Sequence, residues 1–155
     1  MIKKKIIVCM TALTITAGVF AANPLLQPYK TPYQTVPFDE IKTEHFKPAF
    51  LEAMKQNKAE IEALVNNPKP ATFENTIVAL DKAGRLLARV SSPFYNLLGA
   101  ETSDELQAVA QELSPLMSEH SNEILLNEKL FERIKSVYDQ KDKLKLNAEQ
   151  KTLLK

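Results

Sequence analysis

Apolar side chains recur along most of this chain in alternating steps of four and three, the spacing of one face of an α-helix. The clearest run lies between Thr72 and Ala100, where Phe73, Ile77, Leu80, Gly84, Leu87, Ser91, Phe94 and Leu98 keep that rhythm. It predicts one continuous central helix capped by Thr72, with the small residues Gly84 and Ser91 admitting another backbone at mid-stripe. A first helix is predicted from about Thr43 to Asn67. Phe46, Phe50, Ala53, Asn57, Ile61 and Leu64 form its inner face, and Pro48 lies in or near its first turn, where a missing N–H costs least. Asn66-Asn67-Pro68-Lys69-Pro70 ends that helix and links it to the central one.

A third helix is predicted from Ser103, a good N-cap with Asp104 and Glu105 in the following turn. Leu106, Val109, Leu113, Leu116, His120 and Ile124 mark its buried face, and Pro115 is expected to kink it. A shorter helix comes next, from Asn127 to about Lys141, with Leu130, Phe131, Ile134, Val137 and Tyr138 inward. The polar run Asp139 to Lys145 reads as a solvated turn. Asn147 and Gln150 then have the spacing of a capping box for a fifth helix at Lys151–Lys155. That helix is left unfinished, so the expectation is a chain truncated at 155. The fold class predicted is all-α: an antiparallel bundle of four to five helices over residues 42–155, preceded by an extended proline-rich arm over 23–41.

The arm owes its character to Pro24, Pro28, Pro32 and Pro37, each of which removes a donor and pushes its predecessor out of the helical region. Tyr29, Tyr33 and Phe38 are expected to anchor it. Ahead of it, Lys3-Lys4-Lys5, the uncharged run Ile6 to Phe20 and Val19-Phe20-Ala21-Ala22 have the layout of a secretory signal peptide over residues 1–22. The competing reading is a retained membrane anchor; Ile6 to Ala22 is at the short edge for a span and includes Thr11, Thr14 and Thr16. The only cysteine, Cys9, lies near the start of this run rather than after it, which argues against lipidation. A cleaved chain then has no thiol for a disulfide, a metal or nucleophilic attack.

Composition adds limits rather than chemistry. The 155 residues are 45% hydrophobic and 25% charged with a formal net charge of +1, which gives no electrostatic case for nucleic acid. Without the three leading lysines, 17 positive residues face 19 negative ones. The two histidines, His45 and His120, each follow a glutamate, but neither has a second histidine within a turn, as an H-E-x-x-H zinc helix requires. His120 is expected to be a neutral core histidine with one hydrogen bond. No serine sits in a G-x-S-x-G elbow, and three glycines make no phosphate loop. Glu74 and Asn75 read as helix-capping residues, and the remaining carboxylates as partners of lysines on solvated faces. No residue is assigned a catalytic, cofactor-binding or metal-binding role.

Four segments in order nevertheless carry a resemblance. They are Asn23-Pro24-Leu25-Leu26; Val36-Pro37-Phe38-Asp39-Glu40-Ile41-Lys42 with Glu44-His45-Phe46-Lys47-Pro48-Ala49-Phe50; Ala71 to Asp81; and Gln111-Glu112-Leu113-Ser114-Pro115 with Asn127-Glu128-Lys129-Leu130-Phe131. Together they resemble the N-terminal region of the thimet oligopeptidase-like zinc metallopeptidases, of the peptidyl-dipeptidase and oligopeptidase A type. The resemblance implies a helical wall of a channel that admits short peptides. It places the zinc, and the glutamate that activates its water, in a later catalytic lobe. No position here matches that motif, so no zinc and no hydrolysis are expected of this chain by itself. Its expected partner is the missing catalytic lobe, and it is expected to be exported, with no stable membrane insertion after cleavage. The alternatives are an autonomous secreted helical binding module and a membrane-tethered helical protein.

Overall fold

The computed structural model describes residues 23–154, and among these every regular element is helical. The predicted signal segment, 1–22, lies outside the described residues. Helix α1 (Thr43–Val65) is the hub. It buries Phe46, Ala49, Phe50, Ala53, Met54, Asn57, Ile61 and Leu64 along one face and packs against the arm and every later long helix. Its N-terminus is closed by His45, whose Nδ1 accepts the Lys42 N–H at 3.0 Å. Pro48 falls in its second turn.

The central segment departs from expectation. Thr72 caps it as predicted: its hydroxyl accepts the Asn75 N–H at 3.1 Å, while Asn75 Oδ1 accepts the Thr72 N–H at 2.8 Å. Beyond the cap, however, the chain does not form one helix. A six-residue π-helical turn, Phe73–Val78, runs into the short α2 (Ala79–Lys82), and the chain then breaks before α3 (Arg85–Ala100). The break is at Gly84, which adopts φ +76°, and a Cβ there would lie 3.1 Å from Asn57 Nδ2. The Gly84 N–H has left the helical ladder and donates to Glu60 Oε2 at 2.7 Å. The close approach expected at Gly84 is therefore real, but it is made by a left-handed residue that ends the helix. Past the break the buried face of α3 is Val90, Pro93 and Phe94; Leu87, Ser91 and Leu98 are only half-buried.

Helix α4 (Asp104–Leu125) is capped by Ser103, whose hydroxyl accepts the Leu106 N–H at 3.2 Å. It is continuous through Pro115 and buries Leu106, Leu113 and His120. Two ion pairs give its direction: Lys47 meets Glu112 at 2.5 Å, and Lys58 meets Glu123 at 2.8 Å. Both numbers rise together, so α1 and α4 run the same way. Helix α3 runs opposite to α1, because Gly84 lies by Asn57 while Phe94 packs edge-on against Phe46 and Phe50, at 5.0 and 5.2 Å. These rings, with Leu25, Val90, Leu106 and Leu113, form the main core. Each fully buried ring removes enough apolar surface to contribute roughly 1.5–3 kcal/mol.

Helix α5 (Glu128–Tyr138) packs on the π-helical turn, where Val137 joins Phe73 and Ile77. Two side chains expected inward are not: Phe131 is 65% exposed and Tyr138 43%. Leu130 and Val137 take the buried positions, and one residue further places Phe131 and Tyr138 about 100° around the helix. The polar run 139–145 holds only a single 3₁₀ turn, Lys141–Lys143. The last helix, α6 (Ala148–Leu153), opens with the predicted capping box between Asn147 and Gln150.

The arm is not simply extended. It forms 3₁₀ turns at Pro24–Leu26 and Pro32–Gln34. Leu25, fully buried, is its anchor, with Pro37 buried and Tyr29 half-buried. Asn23 donates to the His45 carbonyl at 2.7 Å. Tyr33 is 99% exposed and Phe38 49%, so neither anchors the arm; a leucine that packs between α1 and α3 outcompetes larger side chains at the arm's turn.

Gly84→Ala should cost about 1–3 kcal/mol, because it strains a left-handed backbone and crowds Asn57. Gly99→Ala, in helical backbone with open space around it, should instead be neutral or stabilise by up to about 1 kcal/mol. Urea midpoints of the two variants check this; equal midpoints would contradict it.

Candidate functional site

The two histidines are not brought together. His45 is engaged at the start of α1. His120 Nε2 donates to Asn57 Oδ1 at 2.8 Å, twelve residues further along the same helix, or about 18 Å of helical rise. Among the described residues no three histidine, cysteine or acidic side chains converge on a point where a metal could sit. Glu74 and Asn75 lie in the first turn of the π-helical segment. Arg133 of α5 holds the Asn75 end in place, donating to Asn75 Oδ1 at 3.2 Å and to the Asn67 carbonyl at 2.9 Å.

His120 belongs to a buried polar node joining α1, the Gly84 break and α4. Asn57 supplies its carbonyl to His120, and its amide packs against Gly84. Burial holds the His120 imidazole below its ordinary pKa of 6.5; Lys58 adds to this and Glu123 opposes it. Burial alone would raise the Glu60 carboxyl, but hydrogen bonds from the Gly84 N–H, Gln56 and Asn57 outweigh it and leave the group more acidic than usual. The node ties α1, the Gly84 break and α4 together.

A different feature faces solvent. Between the π-helical turn, α2, α5 and α6 lies an open groove of about 620 Å³, lined by Ile77, Leu80, Phe131, Ile134, Tyr138 and Leu153. Its rim carries Asp81 and the ion pair Lys135–Asp139. The groove exists because the chain breaks at Gly84: the short segment carrying Ile77 and Leu80 is turned toward α5 rather than continuing α3. The exposed Leu125 and Leu126 stand at the adjoining α4–α5 corner. Such a surface, apolar with a charged rim, is the kind that another polypeptide covers. Periodicity alone assigns Phe131 and Tyr138 to the core. Their separation of seven residues marks a second stripe on α5, and that was the available signal. Among the described residues no helix is long and apolar enough to cross a membrane.

No family model matches the chain, but curated relatives do. It is homologous to bacterial peptidases, over the N-terminal portion of those longer proteins. The dipeptidyl carboxypeptidase of Salmonella typhimurium is 43% identical over 129 residues, 83% of this chain and 19% of that protein. The dipeptidyl carboxypeptidase of Escherichia coli is 42% identical over 127 residues, 82% of this chain and 19% of that protein. Oligopeptidase A of Salmonella typhimurium is 33% identical over 129 residues, 83% of this chain and 18% of that protein. The chain thus spans about a fifth of the length of the relatives it matches.

The depressed His120 pKa has a definite sign. Below 6.5 the unfolded chain binds a proton that the folded chain resists, so stability falls as pH drops through 6.5 until the folded pKa is passed. Unfolding free energy measured in urea should therefore decline between about pH 7 and pH 5. His120→Gln, which can still donate to Asn57, should flatten that slope. The lowered carboxyls of Glu60 and Glu123 lose their contribution as pH falls through the ordinary glutamate value of 4.5, which touches only the lower edge of this window. An unchanged slope in the variant would contradict the assignment.

Proposed function

We propose that this chain is the helical wall lobe of an exported, zinc-dependent oligopeptidase of the peptidyl-dipeptidase type. In this reading residues 1–22 direct export and are removed, residues 23–41 form the docked arm, and the helices shape one side of a channel for short peptides. The zinc and the general base belong to a catalytic lobe outside these residues. The observation that carries the reading is the 43% identity along most of the chain to a dipeptidyl carboxypeptidase more than four times as long. The open apolar groove supports it, since a wall lobe needs a face against which the remaining protein packs.

A second reading, an autonomous helical binding module, has one observation in its favour. Leu154 is buried and packs with Phe73, Ile77 and Val137, so α6 contributes to a core rather than hanging free. Against it stands Leu153, 55% exposed on the groove. The two differ in behaviour: an autonomous module unfolds cooperatively and leaves a hydrophobic dye unbound, whereas a lobe lacking its partner binds the dye or aggregates.

The direct test has two arms. The purified chain should contain no stoichiometric zinc and should not cleave a short peptide. A chimera carrying residues 23–155 in place of the matched region of the Escherichia coli dipeptidyl carboxypeptidase should retain that protein's activity within about tenfold. Chelator-sensitive cleavage by the chain alone would overturn the proposal, as would a folded but inactive chimera.

A further inference from the structure

Two guanidinium groups are partly withdrawn from water in this fold, and they are served unequally. Arg133 has its Nε buried without an acceptor, but its two Nη atoms donate to the Asn67 carbonyl, the Lys69 carbonyl and Asn75 Oδ1. Arg89 of α3 makes one hydrogen bond, from Nη2 to the Leu25 carbonyl, at a long 3.3 Å. Its guanidinium lies over the Tyr29 ring, 5.6 Å from the centroid, and its Nε is buried with no acceptor. One turn earlier Arg85 is exposed. Among the described residues no carboxylate is within ion-pairing distance of Arg85 or Arg89.

Arg85 and Arg89 line one open surface cleft of about 380 Å³, flanked by Gln56 of α1 and by Leu26 and Pro28 of the arm. Glu60 is engaged by the Gly84 N–H and by the Gln56 amide, at 2.9 Å. An arginine cannot relieve partial burial by losing its proton. A half-buried guanidinium with one long hydrogen bond and no counter-charge has donors to spare for an anion.

We propose that Arg85 and Arg89 form a binding site for a small oxyanion, a carboxylate or a phosphate, borne on a ligand with a short apolar portion. The i,i+4 spacing puts both guanidinium groups on one helix face, so they can approach a single anion from adjacent turns with charge-assisted hydrogen bonds. Arg89 is already steadied by the Tyr29 ring and the Leu25 carbonyl, which lowers the ordering cost of binding. Leu26 and Pro28 supply the apolar wall. The cleft is separate from the groove beside α5, and the site stands whether or not the chain serves a peptidase.

The test is a titration of the full chain, labelled at its arginine side chains, followed by nuclear magnetic resonance. Succinate and inorganic phosphate are added separately, with sodium chloride at matched ionic strength as control. The Arg85 and Arg89 Nε–H signals should shift saturably, with a dissociation constant on the order of 1 mM, while Arg133 stays put. Because Arg85 is exposed, Arg85→Gln should leave the circular dichroism unchanged and weaken binding about tenfold. Arg89→Lys keeps the charge but loses the planar fork, and should weaken it as well. Tighter succinate assigns a carboxylate ligand; tighter phosphate assigns a phosphate. Equal shifts with chloride, absence of saturation, or full affinity in Arg85→Gln would overturn the site.

Discussion

Asn57 is the one polar residue among the eight side chains that α1 buries, and the arrangement of the other elements depends on how it is satisfied. A buried amide left unpaired costs on the order of 1–3 kcal/mol. Here its carbonyl accepts from His120 on α4, and its amide fills the space left by the missing side chain of Gly84. One group therefore sets the register of α4 against α1 and the place where the central segment must break. Glu60, one turn on, takes the N–H that the break releases. The apolar core on either side of this node supplies the greater part of the burial energy, but it is less selective about register, since leucine and phenylalanine contacts tolerate sliding better than a three-way polar contact does.

Much of this was legible in the sequence. Six of the eight residues that α1 buries were readable, because 23 helical residues gave the periodicity room to declare itself; Ala49 and Met54, beside that stripe, were not. The caps at Thr72, Ser103 and Asn147 were readable because each is a short polar side chain placed just before an apolar rhythm begins. The break at Gly84 was not. Its glycine fell in step with the stripe, and periodicity cannot distinguish a small residue that admits a neighbour from one that turns left-handed. Only the partners, Glu60 and Asn57, decide that, and they are 24 and 27 positions away. Phe131 and Tyr138 were misplaced for a related reason: on an 11-residue helix two adjacent stripes both look apolar, and the packing neighbour selects between them. The arm's anchor was missed because ring size was weighed above position, and Leu25 sits where the first turn enters the core.

The same break that fixes the core also makes the exposed face. By turning Ile77 and Leu80 away from α3, it leaves a trough against α5 that the described residues do not fill. The candidate functional surface is thus a by-product of satisfying a buried amide. The chain is homologous to the N-terminal portion of proteins more than four times its length. The arginine cleft under the arm is built on other elements and answers to a different requirement, that of an uncompensated charge.

Asn57 and His120 act as one unit across the α1–α4 contact, and the placement of the other elements rests on that unit. A double-mutant cycle of Asn57→Ala and His120→Ala, read from urea unfolding at pH 7, tests it most directly. The expected coupling energy is about 1 kcal/mol or more, the loss in the double variant being smaller than the sum of the two single losses. Strictly additive losses would show two independent side chains that merely lie close, and would contradict it.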